Sequence, residues 1–161
     1  MGDVKLEHEN MSIEDALATH GSIIWHCKGV SMKPLIREKV DYVIIERPSR
    51  EIVPYDVVLY ARDRHDCNDS KRDYVLHRVI KKDGSKYIIL GDNCINYEYV
   101  DADKIIGVMS GLVRNGRPYN FDCFAHKAYM NLWIKPRRMR MGLTGARFRA
   151  GRVCRKILKR S

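Results

Sequence analysis

Tyr74-Val75-Leu76-His77-Arg78-Val79-Ile80-Lys81-Lys82-Asp83-Gly84-Ser85-Lys86-Tyr87-Ile88-Ile89-Leu90 is the stretch that decides the fold class. Two runs rich in Val, Ile, Leu and Tyr flank Asp83-Gly84, and Asp-Gly between such runs is the strongest short-range signal for a hairpin. Successive side chains of an extended chain face opposite sides. The first run is therefore expected to put Val75, His77 and Val79 on one face and Leu76, Arg78 and Ile80 on the other. Similar runs recur outward from the hairpin at 22–28, 41–46, 56–61 and 104–113, separated by Pro34, Pro48, Pro54 and Gly91-Asp92. This spacing predicts a compact, mainly antiparallel β domain.

The ends of the chain read differently. Ser12-Ile13-Glu14-Asp15 resembles a capping box with Asp in place of Glu or Gln, and Gly21 offers a left-handed stop, so a short helix is expected between them. From Phe121 the period becomes helical, with Phe121, Phe124, Ala128 and Leu132 on one face and Pro136 as its limit. A second helical candidate covers 146–159, weakened by Gly151. The expected organisation is a flexible N-terminus over 1–11, a β domain over 12–118 and a basic helical extension over 119–161.

Charge is unevenly distributed. All 20 acidic residues lie at or before Asp122, which leaves that part at −2, whereas the remainder has 12 basic residues and no acidic one. The net charge of +10 thus belongs to the tail. No run of about 18 apolar residues occurs, so no bilayer-spanning helix is expected, and the polar first residues do not form a secretory signal. The five cysteines (27, 67, 94, 123 and 154) include no Cys-x-x-Cys pair. They are read as reduced thiols of a cytoplasmic protein, with no metal site and no cofactor.

Two residues draw attention as chemistry. Ser31 follows an apolar run that ends in Gly29 and precedes Pro34, a corner from which a hydroxyl can meet a substrate passing a strand edge. A turn serine bonded to its own backbone has the same local sequence. His77 lies within a strand and could be a satisfied core or surface histidine. Read with Ser31, it is the base that a serine hydroxyl needs before it becomes nucleophilic.

Taken together, Gly29-Val30-Ser31-Met32-Lys33-Pro34, Tyr55-Asp56-Val57-Val58-Leu59-Tyr60, His77-Arg78-Val79-Ile80, Gly91-Asp92-Asn93 and Ile105-Ile106-Gly107 resemble, in order, the motifs of the signal-peptidase superfamily. That superfamily includes the self-cleaving SOS repressors. The resemblance covers roughly residues 22–117. Histidine at position 77, where bacterial signal peptidases and the repressors have lysine, resembles the endoplasmic-reticulum and archaeal subtype. Two loop glycines of the family pattern are replaced, by Tyr55 and by Val40. Gly29 stands where many signal peptidases place a second oxyanion-hole serine.

The resemblance implies a serine endopeptidase with Ser31 as nucleophile, His77 as general base and the Ser31 N–H as one oxyanion donor. It also implies a peptide substrate bound as an extended strand and cut beside small side chains. Asp92 is the first choice for the third catalytic group and Glu98 its rival; Asp92 also reads as a turn residue capping its own backbone. Without spanning anchors, the expectation extends to proteolysis rather than secretory cleavage. The basic tail is read either as a solvated extension or as a peripheral contact for anionic membrane, ahead of nucleic acid. The alternative functions are a peptidase-like module that binds peptides without cutting them, and nucleic-acid binding through the tail.

Overall fold

Ser12 caps the first described element of the structure, a computed structural model that describes residues 11–62 and 73–136. Its side chain accepts a bond from the Asp15 N–H at 3.1 Å and donates to the Asp15 carboxylate at 2.7 Å, which caps helix α1 (Ile13–His20). Gly21 ends the helix at φ +74°, returning its N–H to Leu17, and Leu17 is the buried residue of the helix.

The strands are β1 (Ser22–His26), β2 (Asp41–Glu46), β3 (Val57–Arg62), β4 (Asp73–Asp83), β5 (Lys86–Leu90), β6 (Glu98–Asp101), β7 (Ile105–Arg114) and β8 (Arg117–Pro118). They form one sheet in the order β1-β2-β7-β3-β4-β5-β6, with β8 on β7. Every pairing is antiparallel. The mainly antiparallel β fold expected from the sequence, with its short N-terminal helix, is what the structure shows.

The β4–β5 hairpin closes on the Asp83–Lys86 pair, with Gly84 at φ +61° in the two-residue turn. A Cβ would resist that backbone geometry, which is why the Asp-Gly signal was informative. The simple alternation expected of β4 gives way in its middle, where Leu76, His77, Arg78 and Val79 are all buried. Covering both faces of a central strand hides the in–out pattern.

Val58, Tyr60, Val79, Tyr87, Ile89, Val100 and Ile105 form one buried cluster drawn from β3, β4, β5, β6 and β7. His77 is directly opposite Val58 in the β3–β4 register. The imidazole is therefore anchored on a buried inner strand of the sheet rather than on a loop.

The chain divides into a unit of residues 1–119 and a unit of residues 120–161. In the second, Cys123 caps helix α2 (Phe124–Tyr129), which widens into a turn of π-helix over Met130–Ile134. The face expected to be apolar is largely open, since Phe124 is 86% and Leu132 78% exposed while Ile134 is buried. The helical candidate at 146–159, most of the N-terminal stretch 1–11 expected to be flexible, and the charged stretch 63–72 lie outside the described residues.

Candidate active site

Ser31 sits in the turn that leaves β1. Gly29, at φ +93°, makes the corner, and its N–H donates to Glu38 Oε1 at 2.9 Å. Met32, Leu35 and Ile36 are buried directly after the serine and fasten the loop from below. From the other side, the Asn93 N–H donates to the Ser31 carbonyl at 2.7 Å and the Asn93 side-chain amide to the Val30 carbonyl at 3.3 Å. The Gly91-Asp92-Asn93 turn thus clamps the serine loop. Among the described residues the Ser31 hydroxyl makes no hydrogen bond.

Gly91 is the point where the two halves of the site meet. A Cβ built on it would lie 2.9 Å from His77 Nε2, 2.9 Å from the Ser31 carbonyl oxygen and 2.7 Å from Cys94 Sγ. The imidazole nitrogen and the Ser31 backbone are hence no further apart than twice the first distance. The fold brings Ser31 and His77, 46 positions apart in sequence, to the same place. No hydrogen bond joins the hydroxyl to the ring among the described residues, and such bonds are often loose before substrate arrives.

The other ring nitrogen faces an acid. His77 Nδ1 is 3.3 Å from Glu98 Oε1 and 3.2 Å from the Tyr60 hydroxyl. That hydroxyl donates to Glu98 Oε2 at 2.7 Å, and Arg62 Nη2 reaches the same oxygen. The side chain of His77 is 5% exposed. Burial lowers its pKa by disfavouring the imidazolium; the Glu98 carboxylate pushes the other way and the Arg62 cation adds to the lowering. Burial alone would raise the Glu98 carboxyl, but the Tyr60 and Arg62 hydrogen bonds overcome it and hold that group ionised below its usual range.

Asp92, the first choice for the third group, is engaged elsewhere. Its two oxygens accept from Arg78 Nε and Nη2 at 2.7 Å each, and both side chains are almost completely buried. Arg78 also donates to the Tyr55 carbonyl at 2.9 Å, so this pair ties the 91–93 turn to β4 and to the turn before β3. Of the two acids, Glu98 stands against the imidazole and Asp92 is the counter-ion of Arg78. The guanidinium fork fixes the Asp92 carboxylate on Arg78, and from there its charge raises the His77 pKa, as that of Glu98 does more strongly from beside the ring.

Sequence reasoning missed Tyr60 and Arg62, whose positions in β3 signal nothing until Glu98 is seen opposite them. It also missed the Arg37–Asp41–Arg114 group. Asp41 is fully buried and accepts from both arginines, fixing the end of the serine loop to β7. Tyr55 has a left-handed backbone, at φ +79°, and on the loop before β2 the positive φ falls on Lys39 rather than Val40. Cys27, Cys94 and Cys123 are free thiols. Among the described residues no group of His, Cys, Asp and Glu is arranged to hold a metal ion, and no helix is long and apolar enough to cross a membrane.

No protein-family model matches the chain, and no curated protein matches it.

Proposed function

We propose that the chain is a serine endopeptidase of the Ser–His type, similar in mechanism to the histidine subtype of the signal-peptidase superfamily. The observation that carries this reading is the two-sided environment of His77. Its Nδ1 is held by a carboxylate, and its Nε2 is turned to the Ser31 loop across a glycine that leaves no room for a side chain.

The chemistry follows from that arrangement. Ser31 Oγ forms a bond to the scissile carbonyl carbon as its proton passes to His77 Nε2. Glu98 stabilises the resulting imidazolium from the Nδ1 side. The Ser31 N–H supports the oxyanion. Collapse breaks the C–N bond, the imidazolium gives its proton to the leaving amine, and water repeats the sequence to release the acid. The peptide enters as an added strand, for which the edge of β1 away from β2 is suited because β1 is the end strand of the sheet and leads directly into Ser31.

The test is cleavage of short peptides with small residues at the scissile bond. Turnover is expected from the parent and none from Ser31→Ala or His77→Gln. Equal cutting by Ser31→Ala would end the assignment, and tight binding without cutting by all three proteins would favour the binding module.

A peripheral contact with anionic lipid completes the proposal. The exposed Phe124 and Leu132 share the second unit with Lys127, Lys135 and the rest of the acid-free tail. Apolar anchors beside cations suit a headgroup surface better than the grooves of a nucleic acid. Sedimentation with phosphatidylglycerol vesicles, lost in high salt and absent with phosphatidylcholine alone, is the expected result. Retention on DNA or RNA instead of vesicles would favour the nucleic-acid alternative.

A further inference from the structure

Tyr60 and Arg62 are two residues apart on β3, on the face where Val58 pairs with His77. Both side chains end on a single atom, Glu98 Oε2. The consequence for the imidazole can be read from the proton count. A phenol has one proton, and that of Tyr60 is donated to Glu98. Toward His77 Nδ1, 3.2 Å away, its oxygen can therefore only accept. Glu98 Oε1, 3.3 Å from the same nitrogen, can only accept as well. Two acceptors at Nδ1 require the ring proton there, which leaves the lone pair on Nε2.

We propose that Tyr60 and Arg62 are positioning residues for the peptidase reaction: by sharing Glu98 Oε2 they aim Oε1 at His77 and hold the ring as its Nδ1–H tautomer, with Nε2 open toward Ser31. The tautomer is a property of the resting protein, while its effect on turnover rests on the peptidase reading. Neither residue touches the reacting atoms. From the 91–94 turn, Asp92 is held by Arg78 and raises the His77 pKa through its charge, and burial raises the Cys94 thiol, which keeps it protonated. The pair acts as one device: Tyr60 is buried, and Arg62 adds from the protein surface the charge that keeps Glu98 ionised.

The experiment uses the full chain with 15N-labelled histidine, the His77 signals being assigned by their loss in His77→Gln. At about pH 8, where histidine is neutral, the parent is expected to show a protonated Nδ1 and a bare Nε2. Tyr60→Phe, which removes only the hydroxyl, and Arg62→Met, which changes an exposed side chain, are each expected to admit the Nε2–H tautomer. The backbone amide spectrum reports that both variants remain folded. In turnover the two variants lower kcat about tenfold with little change in KM, and Arg62→Lys recovers part of the loss. Arg62→Met also moves the acid limb of kcat to higher pH, because the cation that lowers the His77 pKa is gone.

A parent with mixed tautomers, or variants with the tautomer and kcat of the parent, would overturn the proposal. Failure of the peptidase reading has a different signature: no Ser31-dependent cleavage, while the tautomer still shifts in Tyr60→Phe and Arg62→Met.

Discussion

Asp92 and Glu98 are two carboxylates at one site with different work, and their substitution should separate them. Asp92→Asn removes the charge that pairs with the buried Arg78 guanidinium, and breaking a buried pair typically costs about 3–5 kcal/mol. Urea unfolding should record a loss of that order. Glu98→Gln acts on a more exposed acid, and its effect is expected in the chemistry instead, as a fall in kcat of roughly a hundredfold. Its pH signature has a definite sign. Burial already holds the His77 pKa below the ordinary value near 6.5, so the acid limb of kcat in the parent should fall below it. Removing the carboxylate that raises that pKa moves the limb lower still in Glu98→Gln. The same depressed value makes acid destabilising: below the ordinary histidine value the unfolded chain takes a proton that the folded imidazole refuses, and stability drops until the folded ring titrates too. Ser31 and His77 are singled out from the letters by the joint motif pattern, and the structure places both beside Gly91. Glu98 reads from the letters only as the rival of Asp92, because the Gly-Asp-Asn sequence advertises Asp92 and only the side-chain geometry shows that Arg78, next to His77, pairs with it.

Elements with strong local rules were read well and elements without them were not. The helix bounded by Ser12 and Gly21 and the hairpin on Asp83-Gly84 follow from capping and turn geometry, which act over a few residues. Strand β6, Glu98-Tyr99-Val100-Asp101, was missed because it is short and charged, with Val100 alone buried. Yet this edge strand delivers Glu98. In the second unit the helical period was visible, but not that Phe124 and Leu132 face outward. The turn after β5 shows how little freedom the site has. Gly91 has no positive φ to accommodate, so its requirement is space alone. Gly91→Ala is expected to fold, to displace the imidazole and the Ser31 loop from one another, and to cut peptides at least tenfold more slowly. Preserved thermal stability with lost turnover would mark the glycine as a spacer. Unchanged turnover would mean that the neighbours move aside without cost.

Over the whole molecule the strand order matters more than any strand. The β1–β2 arm that leads into and out of the serine loop joins the β3–β6 part with the histidine only through β7 in the sheet. That strand is ten residues long. Gly107 packs against Ile45 so closely that a Cβ would collide with it, and Arg114 supplies one of the two cations on buried Asp41. A chain cut between β6 and β7 is thus expected to be inactive and poorly protected from hydrogen exchange around β2 and β3, and a peptide of residues 105–119 should restore both properties. Restoration of neither would show that the arms associate in some other way. There is a consequence for the making of the protein. Synthesis proceeds from the N-terminus, so Ser31 and His77 emerge early, with only the 91–93 turn between their two arms until the strand that joins them in the sheet, ending at Arg114, has left the ribosome. Such a peptidase would be harmless while nascent, its own last long strand serving as the safety catch that other proteases build from a removable propeptide.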